Sequence, residues 1–321
     1  MPICRALSAQ GLAIAPGTYW ARRKRPPSAR ALRDAAVTRL LAGIFEPGKN
    51  GRRAPESLYG AVRAWGWLRR QGVSAARCTV ERIMRASGWR GSTRARKIRT
   101  TVPGKAAERF PDLVRRQFRA EAPGRLLVAD FTCVPMAGGG FAYVAFVIDA
   151  YAGTIRGWEC SLSKTTRFVQ RAIRQAASQL ARLGHPVTGG AARHSDAGSQ
   201  YTSVRFTETL MLAGLAGLAG LAGLAGLAGL AGLAGLAGLA GPIGTVGDAY
   251  DNALAETTIG LYKSECVRDG SPFRDGPLAT LGDVEKITSG WVHWYSNDRL
   301  MHRTGLRPPA EADQRYWAGQ A

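Results

Sequence analysis

Three acidic residues in this chain of 321 residues stand where chemistry could use them. Asp130 lies mid-way along Leu126-Leu-Val-Ala-Asp-Phe-Thr-Cys-Val134, among Leu127, Val128, Phe131 and Val134. A carboxylate in an apolar strand is costly unless it is paired or holds a metal. Asp196 follows a predicted strand and precedes a glycine in His194-Ser-Asp-Ala-Gly-Ser-Gln-Tyr201. Glu256 closes Gly247-Asp-Ala-Tyr-Asp-Asn-Ala-Leu-Ala-Glu256, one turn into a predicted helix that Asp251 or Asn252 would cap. Three carboxylates brought together hold two hard cations about 3.5–4 Å apart. Such a pair activates a water or a 3′-hydroxyl and stabilises the leaving oxygen of a phosphodiester. An all-oxygen ligand set suits magnesium, which keeps waters free for substrate phosphate. Lys263 lies seven residues after Glu256, on the same helix face, and sets a cation where a DNA phosphate would lie.

Each of these residues also has a plain structural reading. Asp130 could be a salt-bridge partner and Asp196 a turn former beside Gly198. Glu256 could be a first-turn acid favoured by the helix dipole. Lys263 could be a solvated side chain, and His194 could polarise the site or merely pack. Asp149 and Asp248 are further acids, read as a strand-end turn residue and a loop residue.

The elements that must position these groups are legible in part. Leu126–Val134, Phe141–Ile148 and Thr154–Cys160 are rich in strand formers and joined by short turns, which predicts an antiparallel meander. Thr165–Leu183 reads as a helix with Val169, Ile173, Ala176 and Leu180 on one side. Pro186-Val187 leads toward a fourth strand ending near His194. Helices are expected over Ser203–Leu212, Asn252 to about Val267 and Leu278–Tyr295, with a last short one from Pro308-Pro309. Strands followed by alternating helices and strands describe an α/β layer fold.

The first third of the chain has another character. The net charge is +21, and residues 1–119 hold 27 Lys+Arg against 6 Asp+Glu, so the entire excess lies there. This implies a polyanionic partner, nucleic acid before membrane. Ser28–Phe45 is expected as one amphipathic helix with Leu32, Ala36, Leu40 and Ile44 inward. Ser57 would cap a helix to Arg70, with Leu58, Val62, Trp65 and Leu68 inward. After a Gln71-Gly-Val-Ser74 turn, Ser74 or Thr79 would start a second helix that Gly88 ends. In that helix Val80, Ile83 and Met84 face inward and Arg77, Arg82 and Arg85 outward. This suits a helix-turn-helix, with a plain helical hairpin as the alternative. Arg94, Arg96 and Lys97 fall in a basic stretch without periodicity, read as an arm following phosphates or as a disordered linker.

Five cysteines are scattered without a CxxC pair, which argues against a zinc site and fits a reducing cytosol. No charged start followed by an apolar run opens the chain, so no secretory leader is expected. The division expected is 1–50, a basic helical segment; 51–103, a helix-turn-helix-like module; 104–120, a linker; and 121–321, a catalytic core.

The motifs together resemble a known family. Val128-Ala-Asp-Phe-Thr-Cys-Val-Pro135, Tyr143-Val-Ala-Phe-Val-Ile-Asp149 with Gly157-Trp158, and the segments ending at Tyr201 and Glu256 carry the likeness. So do Leu261-Tyr-Lys-Ser-Glu265, Trp294-Tyr-Ser-Asn-Asp-Arg299 and Pro308-Pro-Ala-Glu311. Upstream, Tyr59-Gly60 and Cys78-Thr-Val-Glu-Arg-Ile-Met84 through Gly91 look like the family's helix-turn-helix. The chain resembles the OrfB transposases of IS-three-type bacterial insertion sequences, within the DDE transposase and retroviral integrase superfamily. The resemblance implies an RNase H-like core with a mixed five-stranded sheet. It implies that Asp130, Asp196 and Glu256 bind two Mg²⁺ ions (or Mn²⁺), with Lys263 as the basic residue after the Glu. It further implies cleavage and strand transfer on double-stranded DNA, an upstream-frame OrfA product or fusion as partner, and a homo-oligomer on DNA. A cytoplasmic, nucleoid-associated bacterial protein without membrane attachment is expected.

One feature departs from the family. Leu-Ala-Gly is repeated ten times from Leu212 to Gly241, and 59 residues separate Asp196 from Glu256. That interval exceeds the family's, and the excess consists of whole Leu-Ala-Gly units. Loop-closure entropy grows slowly with length, so entropy alone would not destroy the site. Thirty apolar residues are harder to solvate. As one α-helix the leucines, advancing 300° per step, form no stripe, and each Gly weakens the helix by about 0.8–1 kcal/mol against Ala. The run meets the length rule for a membrane span, yet perfect period three without basic or aromatic flanks points to sequence slippage. Two readings follow: an active transposase, or a DNA-binding remnant impaired by the insertion.

Overall fold

The computed structural model describes residues 2–12, 14–93, 120–184, 192–195 and 253–319. Asp196, Asp248, Arg94, Arg96, Lys97, Pro186-Val187, the expected helix Ser203–Leu212 and the repeat Leu212–Gly241 lie outside the described residues, as does all but the last residue of the expected linker 104–120.

The basic N-terminal third is helical. Helices α1 (Pro2–Ala9) and α2 (Pro16–Lys24) come first, and α2 stops ahead of Pro26-Pro27, which cannot continue it. Helix α3 spans Ala29–Phe45, capped by the Ser28 hydroxyl, which accepts from the Ala31 N–H at 3.2 Å. Its buried face is Val37, Leu41, Ile44 and Phe45. Leu32 and Leu40, expected inward, are exposed by 59% and 39%. The seam is set by packing against the following module, where Phe45 stacks on Trp89 at 5.5 Å.

The expected single helix from Ser57 to Arg70 is broken. Pro55–Leu58 forms a short 3₁₀ turn, Tyr59 is extended, and α4 runs only from Ala61 to Arg70. The reason lies in what passes alongside. The Ser92 N–H donates to the Leu58 carbonyl at 3.0 Å. A Cβ on Gly91 would lie 2.4 Å from the Gly60 nitrogen, so two backbones lie in contact that only glycine allows. Ala64 and Leu68 are the buried apolar side chains of α4, while Val62 and Trp65 are half-buried. Helix α5 (Arg77–Ala86) buries Val80, Ile83 and Met84, as the periodicity predicts. Its N-cap is Ala76 rather than Ser74 or Thr79, and Gly88 closes it in the left-handed region at φ 71°.

The sheet supplies the frame for the carboxylates. Strands β1 (Leu126–Pro135), β2 (Phe141–Asp149) and β3 (Ile155–Ser161) form the expected antiparallel meander. Helix α6 (Thr166–Arg182) then crosses back, and β4 (Ala192–Ser195) pairs in parallel with β1. The order among the described residues is β3-β2-β1-β4, four strands of mixed direction. Side chains alternate across the pleat. Leu127 and Ala129 of β1, with Ala145 and Val147 of β2, pack under Phe168, Val169, Ala172, Ile173, Ala176 and Leu180 of α6. Leu126, Val128 and Val134, with Val144, Phe146 and Ile148, face the larger core. Gly157 lets α6 sit directly on β3, because a Cβ there would be 2.0 Å from the Ala172 carbonyl oxygen.

The larger core is closed by the C-terminal helices. Helix α7 (Ala253–Tyr262) passes into a π-helical turn, Lys263–Val267, where one continuous helix was expected. Helix α8 (Leu281–Asn297) starts at a capping box between Thr280 and Asp283, and α9 (Pro309–Ala318) follows Pro308. Phe146 of β2 meets Tyr262 and Trp291 edge-on at 5.0 and 6.0 Å. The sheet, α7 and α8 thus share one aromatic centre.

Candidate active site

Asp130 sits at the half-buried midpoint of β1, opposite Phe146 of β2. By strand parity it projects from the face that carries Val128 and Val134, the face on which α7 packs. Its Oδ1 accepts the Phe131 backbone N–H at 2.8 Å, which fixes the carboxylate close to its own strand. The neighbouring residue Ala129 pairs with Ser195 in the parallel β1–β4 register. The residue bonded next to Ser195 is Asp196, outside the described residues.

Glu256 lies in the first turn of α7 and is exposed. Its neighbour Ala255 and the later Thr258 and Tyr262 are buried, so the helix packs through that stripe and leaves Glu256 at the border. Lys263, exposed, is the first residue of the π turn. Among the described residues no three His, Cys, Asp or Glu side chains form a metal-holding group. Asp130 thus stands on the sheet face against which α7 packs, and α7 carries Glu256 in its first turn.

The basic module presents Arg77, Arg82 and Arg85 on the exposed side of α5. Two of them are engaged: Arg77 Nε donates to Glu81 at 2.7 Å, and Arg82 Nη2 to Asp34 of α3 at 2.8 Å.

Two buried ion networks were not foreseen. Asp149, read as a turn residue, is fully buried. It accepts from Arg156 Nη2 at 3.0 Å and from the Gly124 and Tyr151 N–H groups at 2.8 and 3.1 Å. Arg156 also donates to Asp313 of α9 at 2.6 Å. Desolvation by burial raises the Asp313 carboxyl to about 6, against the opposing pull of Arg156. The second network joins Glu265 and Arg299, both buried. Burial lowers the affinity of Arg299 for its proton, but the adjacent Glu265 outweighs this and the net shift is upward. Arg63 of α4 stands nearby and is shifted down by burial and by Arg299. A signal was available for both networks: charged residues inside otherwise apolar segments must be paired. Arg156 is seven residues from Asp149, but Asp313 and Arg299 lie far from their partners in sequence, and nothing local names them.

A mixed sheet entered by an antiparallel meander, with a parallel fourth strand beside β1 and an acid in mid-β1, defines the RNase H-like class of core. Residues 120–216 match the family described as Integrase core domain, a match that ends inside the repeat, and residues 33–97 match the HTH-like domain. The chain is 39% identical over 305 residues to the putative transposase for insertion sequence element IS986/IS6110 of Mycobacterium tuberculosis, covering 95% of this chain and 96% of that one. It is 38% identical over 322 residues to the transposase for insertion sequence element IS629 of Shigella sonnei, covering 99% and 92%. The chain belongs to the insertion-sequence DDE transposases. Among solved structures it is similar to the HTLV-2 integrase catalytic core domain in complex with magnesium, at 15% identity and a TM-score of 0.40, covering 61% of this chain and 99% of that one. No described helix is long and apolar enough to cross a membrane.

Proposed function

We propose that this transposase cuts the ends of its insertion sequence and joins the freed 3′-hydroxyl to a second phosphodiester, with Asp130, Asp196 and Glu256 as the catalytic carboxylates. The observation that carries this reading is the β1–β4 register. Ser195, the residue before Asp196, is paired in parallel with Ala129, the residue before Asp130. Helix α7, packed on the Asp130 face, carries Glu256 in its first turn.

The donor set fits hard divalent cations, because it consists of carboxylate oxygens alone. Magnesium bound there would lower the pKa of an attacking hydroxyl and stabilise the leaving oxygen. The chain's own contribution is placement. The Phe131 N–H orients one oxygen of Asp130. Strand pairing sets Ala129, next to Asp130, beside Ser195, next to Asp196, and Lys263 offers a cation to a backbone phosphate next to Glu256. Arg85, with Arg77 and Arg82, lies on the exposed side of α5 and neutralises phosphates of the duplex. Arg94, Arg96 and Lys97 extend that contact along the backbone. The module at 51–103 thus holds DNA, and the core at 121–321 performs the chemistry. An upstream-frame OrfA product supplies end recognition, and the protein acts as a homo-oligomer on DNA in the nucleoid.

A second reading is favoured by the Leu212–Gly241 repeat, which lies between two of the proposed ligands. In that reading the chain binds DNA without catalysis. The deciding assay is strand transfer by purified protein fused to its upstream frame, with element-end DNA and Mg²⁺. Joining that is lost in Asp130→Asn supports the first reading. Absence of joining in this chain, with joining by a version shortened by eight repeats, supports the second.

A further inference from the structure

A cavity of about 370 Å³ lies where the basic module meets the core. Arg63 of α4 and Ser92 line it from the module, Ser264 and Glu265 from the π turn, and Arg299 and Arg303 from the segment after α8. Glu265 is the only acid lining it among the described residues. Both oxygens of that acid are already engaged by Arg299, whose Nη2 and Nε lie 2.6 and 2.9 Å away.

Arg63 is the cation left over. Its ion contact is Nη1 to Glu265 Oε1 at 3.9 Å, beyond hydrogen-bond reach. Among the described residues its guanidinium donates no hydrogen bond. The side chain is 23% exposed, and none of its nitrogens is sealed from solvent. Its N–H donors are therefore open to a ligand, and the cavity is the space its side chain lines. The Tyr59 ring lies beside it, with Cζ 6.0 Å from the ring centre. Burial disfavours the charge of Arg63, the neighbouring Arg299 adds to that effect, and Glu265 opposes it. A half-buried guanidinium crowded by a second one is relieved by an anion, and its planar fork matches the oxygens of a phosphate. The position agrees. Ser264 follows Lys263 directly in the chain, and Ser92 stands just ahead of the basic stretch that holds Arg94, Arg96 and Lys97.

We propose that this cavity receives a phosphate group, with Arg63 as its principal donor. Two sources carry that chemistry. One is a backbone phosphate of DNA, which the place beside Lys263 favours. The other is a free phosphate compound. A DNA phosphate held here would touch module and core at once and so orient both on one duplex. That source rests on the reading that module and core act on the same DNA. Its test needs neither Mg²⁺ nor strand transfer, so failure of the carboxylate assignment would leave it standing.

Fluorescence anisotropy of a labelled DNA duplex with the full chain, in EDTA and over a series of salt concentrations, gives the first arm. Wild type, Arg63→Gln and Arg69→Gln are compared; Arg69 is exposed on the same helix and does not line the cavity. Arg63→Gln should weaken duplex binding roughly tenfold and lower the salt slope by about one. Arg69→Gln, the same change of charge, should stay near the wild type in both. Isothermal titration with inorganic pyrophosphate gives the second arm, with saturable binding expected for the wild type and lost in Arg63→Gln. A duplex effect confined to Arg63, with or without pyrophosphate binding, assigns the site to DNA. Pyrophosphate binding lost in Arg63→Gln while duplex affinity stays at the wild-type value assigns it to a free compound and overturns the DNA source. Arg63→Lys keeps the charge without the fork, should weaken binding of the same probe, and carries the test should Arg63→Gln fail to fold. Equal losses of duplex affinity in Arg63→Gln and Arg69→Gln without pyrophosphate binding, or both probes bound unchanged by every folded Arg63 variant, overturn the proposal.

Discussion

Glu265 and Arg299 meet at two points inside the core: Arg299 Nη2 lies 2.6 Å from Glu265 Oε1, and Nε lies 2.9 Å from Oε2. Both side chains are 2% exposed. The pair joins the π turn after α7 to the segment after α8, nine residues beyond Glu256 in the chain. Trp291 Nε1 adds a bond to Oε2 at 3.4 Å, and the Arg299 guanidinium lies 5.9 Å from the Trp294 ring centre. Next to it, the Tyr59 hydroxyl donates to the Asp298 carbonyl and accepts the Leu300 N–H, both at 3.1 Å. One buried joint therefore fixes the trailing end of the helix that carries Glu256 and holds the basic module against the core.

Breaking one side of that joint should be costly. Arg299→Met leaves the buried Glu265 charge with only Arg63, 3.9 Å away, to oppose it, with an expected loss of about 3 kcal/mol. Arg299→Met combined with Glu265→Leu removes both charges and should recover much of it. Urea unfolding of both single variants and the double variant measures the coupling. A double variant as unstable as the sum of the singles would show that the pair contributes nothing as a pair.

Asp313 should make stability depend on pH in a defined direction. Its carboxyl is raised from the ordinary aspartate value to about 6, first by burial, with Arg156 opposing and Asp149 adding. Thr154 also donates to it, and His293 of α8 lines a cavity that Asp313 also lines. The folded state therefore holds its proton more tightly than the unfolded state. The contribution is full below about pH 4 and is lost as pH rises through about 6, with a limiting slope of about 1.4 kcal/mol per pH unit. Asp313→Asn cannot titrate there. The stability of the wild type relative to this variant should fall between pH 4 and 6 and then level off. A flat difference across that window, read from melting temperatures at matched ionic strength, refutes the shift.

The carboxylates proposed for catalysis should separate activity from stability. Glu256 is exposed and Asp130 half-buried at the strand midpoint. Glu256→Gln should leave the melting temperature within about a degree, since exposed substitutions change stability by only about 0.5 kcal/mol. It should lower DNA joining by roughly a thousandfold, the scale on which loss of one preorganised electrostatic group is felt. Lys263→Ala should retain joining at low salt and weaken DNA binding, with a salt slope reduced by about one. A Glu256→Gln protein that joins DNA at the wild-type rate ends the assignment.

What could be read from the sequence divides along physical lines. Strands β1–β3 were legible because alternation and short turns are local, and Asp130 stood out because its neighbours are apolar. Helix α5 was legible because Val80, Ile83 and Met84 follow the helical period. The break at Tyr59 was not, since it is imposed by Gly91 and Ser92 passing alongside and by Asp298 and Leu300 at the far end of the chain. Leu32 and Leu40 misled for a related reason: α3 offers two apolar stripes, and only packing selects Val37, Leu41, Ile44 and Phe45. Asp149 reads as a turn residue and nothing local marks Glu265 as buried, because Asp313 and Arg299 are brought to them only by the fold.

The repeat poses the last test. Leu212–Gly241 separates Asp196 from Glu256, yet the elements that flank it are held independently of it. On one side β4 is paired with β1, and on the other α7 is packed on β1 and locked by Glu265 and Arg299. With both anchors fixed by their own contacts, the length of the connection enters only through loop closure. Removing eight Leu-Ala-Gly units should then change that term by roughly 0.5 kcal/mol, less than most core substitutions. Melting temperature should hardly move, while solubility should rise because 24 apolar and glycine residues are gone. If the shortened protein also joins element-end DNA no faster than the full chain, the repeat is a tolerated excursion. A shortened protein that gains strand transfer by orders of magnitude at unchanged stability would show instead that the repeat obstructs the site itself, and the DNA-binding remnant reading would hold for the full chain.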